Sequence, residues 1–144
     1  MIEPATLDPV FLAAGRALAQ VHRFEHNLKG LASLVQSIRT ADEDTPVTVD
    51  YSGFSLGPLI DSVRSLIHVD PNFEALLEEA RLRRNHLCHA YFHDHASELD
   101  TAEGRTRLIA DLRTSELLFD RIADLTTDLL NRLIKALEIR LDSV

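Results

Sequence analysis

Residues 8–39 read DPVFLAAGRALAQVHRFEHNLKGLASLVQSIR, and this stretch decides the fold class. Phe11, Leu12, Leu18, Val21, Leu28, Leu31, Leu34, Val35 and Ile38 recur mostly at three- and four-residue steps. That is the period of an amphipathic helix with one apolar stripe. Asp8 followed by Pro9 has the form of a helix start: a carboxylate to cap free amides, then a ring whose φ suits the first turn. A long helix from Pro9 to Arg39 is therefore expected. Gly15 and Gly30 lie inside it. Each costs about 1 kcal/mol against alanine, so another helix is expected to pack closely there.

Downstream, the pattern breaks from Thr40 to Gly53. Val47-Thr48-Val49 has strand character but no partner, and an isolated hairpin is marginal in water, so the stretch is expected to be loop. Ser55 to Ile67 carries the next apolar face, with Leu59, Ile60, Val63, Leu66 and Ile67. Asp70-Pro71 repeats the start signal, and Phe73, Leu76, Leu77, Ala80, Leu87 and Ala90 make the stripe of a third helix ending near Tyr91 or Phe92. A loop from His93 to Leu99 follows. Asp100 with Glu103 has capping-box form and opens a fourth helix to about Leu141, with a break expected near Thr114-Ser115 because an unbroken helix would be about 60 Å long. The expected fold is a single all-α domain over residues 1–144. It is a mostly antiparallel bundle of four helices, or five if the last one breaks. The first and last helices outrun the middle ones, so their ends are expected to bury apolar surface against a second copy.

Composition agrees. The 144 residues are 45% hydrophobic, with five prolines, five glycines and no tryptophan, enough to build a core and weighted toward helices. The single cysteine excludes an intramolecular disulfide framework and suits a reducing compartment. Met-Ile-Glu-Pro-Ala-Thr has no secretory character, and no apolar run reaches the ~20 residues of a membrane span. A cytoplasmic protein is expected. The net charge of -8 argues against non-specific coating of nucleic acid, which needs a basic surface. Arg81, Arg83 and Arg84 nevertheless form a local cationic cluster where an anion would sit.

That cluster opens the stretch richest in chemistry, Ala80 to His95, which holds four of the seven histidines and the only cysteine. Asn85 and His89 are four apart and share a helix face. Arg84 lies about 140° around from His89, within the swing of a long guanidinium. Arginine binds two phosphate oxygens at once and stabilises charge building on them, and histidine moves a proton near neutral pH. The set therefore points to phosphate chemistry.

Two metal readings compete. His22-Arg23-Phe24-Glu25-His26 has the His-x-x-Glu-His form of an inverted zinc-protease motif, but no third ligand is evident and a polar helix face is favoured. Cys88, His89, His93 and His95 lack the two-plus-two spacing of structural zinc, so Cys88 is expected as a small core residue. No metal is assigned, no Gly-rich phosphate loop is present, and no cofactor is expected.

Arg84-Asn85 followed by His89 resembles the Arg-x4-6-His motif of HEPN domains, small helical bundles of about this length. The resemblance implies a metal-independent endoribonuclease working as a homodimer, with two motifs meeting in one cleft on an RNA substrate. Such enzymes serve toxin–antitoxin and antiviral defence systems. It makes Arg84 and His89 catalytic and Asn85 the residue that orients them. Arg81, Arg83, His86 and His93 become candidate RNA contacts. Tyr91 extends the likeness to the Arg-x4-His-x-Tyr motif of HepT toxins, in which that tyrosine accepts AMP from a nucleotidyltransferase antitoxin. An antitoxin of that kind, or a small protein, is the implied partner, and no membrane is involved. The family also has members without nuclease activity, so a non-catalytic nucleotide-binding or interaction module is the alternative.

Overall fold

A computed structural model describes residues 4–40, 49–66 and 70–142. The described residues form an all-α bundle: α1 (Pro4–Thr40), α2 (Leu56–Leu66), α3 (Pro71–His89), a single turn α4 (Tyr91–Asp94), a 3-10 turn (Ala96–Asp100) and α5 (Ala102–Asp142). Val47, Thr48 and Ile67 lie outside the described residues. No helix among the described residues is long and apolar enough to cross a membrane.

The two Asp-Pro signals have different fates. Asp70 caps α3 as expected: its carboxylate accepts from the amides of Asn72 at 2.8 Å and Phe73 at 3.4 Å, and Pro71 takes the first helical position. Asp70→Ala is expected to cost about 1 kcal/mol, read as a lower midpoint in chemical denaturation with unchanged slope. Asp8-Pro9 does not start α1. Helix already runs from Pro4, and Pro9 sits inside it. A ring this close to the N-terminus removes only one early hydrogen bond, and Pro4 supplies the preset φ instead.

Helix directions follow from the side chains that bridge them. Arg23 donates to Asp120 through Nη1 at 2.9 Å and to Asp124 through Nη2, while Asn27 Nδ2 donates to the carbonyl of Ala123 and the hydroxyl of Thr127. Farther along, Gly30 faces Leu130. Partners rise together in number, so α1 and α5 run parallel. Lys29 reaches the carbonyl of Ser52 and Arg39 that of Ser65, so α2 also runs with α1. Antiparallel packing belongs to α3, where Arg64 of α2 meets Glu74 at 3.0 Å and Gly57 faces Arg81. Arg84 of α3 meets Glu25 and Phe92 meets Phe11 on α1. The expected arrangement therefore holds for α3 against its neighbours but not for α1 with α5. Ser52 lies at the level of Lys29, so α2 starts beside the middle of α1 and runs on in the same direction.

One contiguous core fills the space between these helices, with Phe24, Leu28 and Leu31 of α1 against Leu108, Leu112, Phe119 and Ile122 of α5. Leu59, Ile60, Leu77 and Ala80 close it. Each large side chain fully buried contributes about 1.5–3 kcal/mol. Phe11 and Leu12, expected in the apolar stripe of α1, are exposed instead, as are Leu82, Leu125 and Ile134 farther along the chain. Val10 and Ala13 take the buried positions on the first turns of α1, because the stripe there is one residue out of phase with the larger side chains. Gly15 meets no neighbour, and Gly30 makes only ordinary contact with Leu130.

α5 is unbroken over 41 residues, about 60 Å, where a break was expected. The hydroxyl of Thr114 bonds back to the Ala110 carbonyl at 3.1 Å, and Ser115 is buried under Arg83. A parallel partner of 37 residues supports the length. Its cap is also not the expected one. Thr101, not Asp100, caps α5: its hydroxyl accepts from the Gly104 amide at 3.0 Å and its carbonyl from Arg105. Asp100 is spent in the preceding 3-10 turn.

Candidate functional site

The decisive local event is a break in the motif helix. At Ala90 the backbone leaves the helix with φ -139° and ψ -8°, and α4 starts afresh at Tyr91. The Ala90 amide still bonds to His86, and its carbonyl accepts from Asp94 at 2.8 Å, so no backbone polar group is stranded. The break separates His89 from Tyr91. Their expected relation on one continuous helix does not hold.

On α3 the motif residues divide between two faces. Arg84 points inward with Leu77, Ala80 and Leu87. Its Nε donates to Glu25 Oε1 at 2.9 Å, and both side chains are about four-fifths buried. Nη1 reaches Asn85 Oδ1 at 3.4 Å. His89 lies about 140° away and is exposed. It shares the outer face with Asn85 and with Leu82, which is 56% exposed. Within one chain, then, the structure does not bring Arg84 and His89 together. Arg81 is engaged by Glu78 at 3.1 Å through Nε, and this pairing holds the Glu78 carboxyl below its usual range. His93 is exposed. Cys88, expected in the core, is exposed: α2 begins at the level of Arg81, so it does not reach the face of α3 that carries Cys88 two turns farther on.

Arg83 and His86 face the other way and line a cavity of about 250 Å³ with Leu87, Tyr91, His95, Asp111 and Ser115. Arg83 donates to the Ser115 hydroxyl at 3.3 Å. His86 Nε2 lies 2.9 Å from Asp94, and His95 Nδ1 lies 2.8 Å from Glu98. The hydrogen bond from His95 holds the Glu98 carboxyl below its ordinary range, with help from Arg107. The ring of Tyr91 sits 4.6 Å from His95 and 5.6 Å from His86, distances typical of attractive aromatic pairs.

Tyr91 itself is buried. Its hydroxyl donates to Asp111 Oδ2 at 2.8 Å. Burial first, then this bond, pushes its pKa well above the usual tyrosine value. The hydroxyl lies out of reach of solvent, so addition of a nucleotide to Tyr91 requires the side chain to become exposed first.

Asp111 carried no signal in the sequence, and Glu25 and Ser115 stood out for other reasons, as part of the His-x-x-Glu-His stretch and of the expected helix break; each gains its place here from a residue tens of positions away. His95 was legible only as part of a histidine-rich run. Among the described residues no three His, Cys, Asp or Glu side chains cluster as a metal site. His22 and His26 are exposed, and Glu25 between them is taken by Arg84. Set against known proteins, the chain matches no family model, no curated protein and no solved structure.

Proposed function

We propose that the chain is a metal-independent endoribonuclease of HEPN type, acting as a dimer and serving as the effector of a toxin–antitoxin or antiviral defence system. The observation that supports this reading is the outer face of α3. An imidazole with no hydrogen-bond partner among the described residues, His89, lies one turn from Asn85 and two turns from the exposed Leu82. A two-fold contact through such a face sets the same residues against themselves and draws two His89 side chains into one cleft.

In the proposed reaction, neutral His89 takes the proton of a ribose 2′-hydroxyl. The freed oxygen attacks the adjacent phosphorus, and the bond to the 5′-oxygen breaks. Protonated His89 of the partner subunit supplies the proton to that leaving oxygen. Arg84 keeps guanidinium donors beyond those committed to Glu25 and Asn85, and once its side chain turns outward toward the cleft these stabilise the negative charge that builds on the phosphoryl oxygens. The products are a 2′,3′-cyclic phosphate and a 5′-hydroxyl. Cleavage that persists in EDTA and leaves cyclic phosphate ends supports the reading; loss of cleavage in EDTA overturns it.

The turn of Arg84 toward Glu25 favours a second reading, a non-catalytic nucleotide-binding or interaction module. Dimerisation bears on the choice. Sedimentation is expected to give a dimer at micromolar concentration, with Leu82→Asp shifting it to monomer and leaving helix content unchanged. A wild-type monomer, or a dimer indifferent to Leu82→Asp, removes the shared cleft.

A further inference from the structure

The cavity between α3, α4 and α5 is not used by the proposed cleavage chemistry. Its volume of about 250 Å³ falls just below the ~300 Å³ at which pockets for whole drug-sized ligands begin. It suits one flat ring system. Its aromatic side is built from His86, Tyr91 and His95, whose ring centroids lie within 5.8 Å of one another. His86 and His95 each commit one nitrogen to a carboxylate, Asp94 and Glu98, which fixes their planes. The three rings are tilted 44–62° to one another, so a flat base meets one of them face on and the others by their edges, both favourable aromatic contacts.

The remaining walls carry opposite hydrogen-bonding characters. On the α3 side, Arg83 spends one Nη on Ser115 and approaches Glu79 at 3.5 Å through Nε, leaving further guanidinium donors. On the α5 side, Asp111 accepts from Tyr91 through Oδ2 alone, so Oδ1 keeps its lone pairs. A base that fits must offer adjacent acceptors to an arginine and adjacent donors to a carboxylate. Guanine does so, with O6 and N7 on one edge and N1–H and the 2-amino group on the next. Adenine and uracil alternate donors with acceptors, and cytosine has the smaller ring.

We propose that this cavity is a guanine-binding pocket, with Arg83 and Asp111 reading the base edges and His86, Tyr91 and His95 packing against its face. If the ribonuclease reading holds, on which the identity of the natural ligand rests, the pocket takes an unpaired guanosine of the RNA and sets where the chain is cut.

The test is titration of the full chain with GMP, AMP, CMP, UMP, guanosine and inorganic phosphate, followed by amide NMR shifts. GMP and guanosine are expected to move signals around Arg83, Tyr91 and Asp111, with the other nucleotides at least about tenfold weaker. Arg83→Gln and Asp111→Asn are each expected to weaken GMP at least about tenfold while the rest of the spectrum stays folded. Shifts reproduced by inorganic phosphate, equal binding of all four nucleotides, or tighter CMP than GMP overturn the pocket. Mapping of cut sites separates the two ideas. Wild-type protein that binds GMP but cuts no RNA keeps the pocket and fails the nuclease; RNA cut without regard to guanosine, with no GMP shifts, does the reverse.

Discussion

His89→Ala is expected to slow RNA cleavage at least ~10²-fold, the usual cost of losing a positioned proton carrier, with helix content and thermal midpoint unchanged. The second half of that expectation comes from exposure: His89 has no hydrogen-bond partner to strand among the described residues. Arg84 needs a different design. Its guanidinium and the Glu25 carboxylate are largely buried together, so Arg84→Ala leaves Glu25 uncompensated and lowers stability as well as activity. Combining Arg84→Gln with Glu25→Gln removes both charges and keeps a hydrogen-bonding pair. That double variant is expected to stay folded and lose cleavage at least ~10²-fold. Cleavage at the wild-type rate by His89→Ala, or by the double variant, removes the mechanism.

Gly104→Ala is expected to be the most damaging single substitution outside the core. A Cβ at that position would lie 2.1 Å from the carbonyl oxygen of Glu98 and 2.7 Å from its Cα. The obstacle is backbone, which cannot swing aside as a side chain would. Accommodation requires the 3-10 turn to lift from the start of α5. That movement strains the Thr101 cap and the Arg105 bond to the Leu99 carbonyl. Overpacking of this kind costs about 1–3 kcal/mol, and the lost cap adds about 1 kcal/mol. The thermal midpoint should fall by several degrees or more, and His95, anchored to Glu98, should show altered NMR shifts. A midpoint within a degree of wild type would show that the turn yields freely.

Helix periodicity and the Asp70-Pro71 cap were readable because they act within a few residues. The same reasoning failed at Asp8-Pro9, where helix upstream absorbs the proline, and at Asp100, where the neighbouring Thr101 competes successfully for the cap. Nothing local announces the break at Ala90, since alanine is the best helix former. There the Tyr91 ring packs into the core and its hydroxyl reaches Asp111 on another helix, and these contacts outweigh propensity. Residue types at the candidate site were legible; directions were not. Arg83 and Arg84 are neighbours, yet Ser115 turns one toward α5 and Glu25 turns the other toward α1.

The parallel seam between α1 and α5 also bears on how the chain reaches this state. Its bridging pairs, such as Arg23 with Asp120 and Asn27 with Thr127, are 97 and 100 positions apart. Helical bundles usually fold fast because their contacts are local. Here the largest apolar stripe waits for α5 to be made. During synthesis at ~5–20 residues per second, α1 is complete for several seconds before α5 emerges. Over that interval Phe24, Leu28 and Leu31 lack their native cover, which ties the final collapse of the bundle to the emergence of α5.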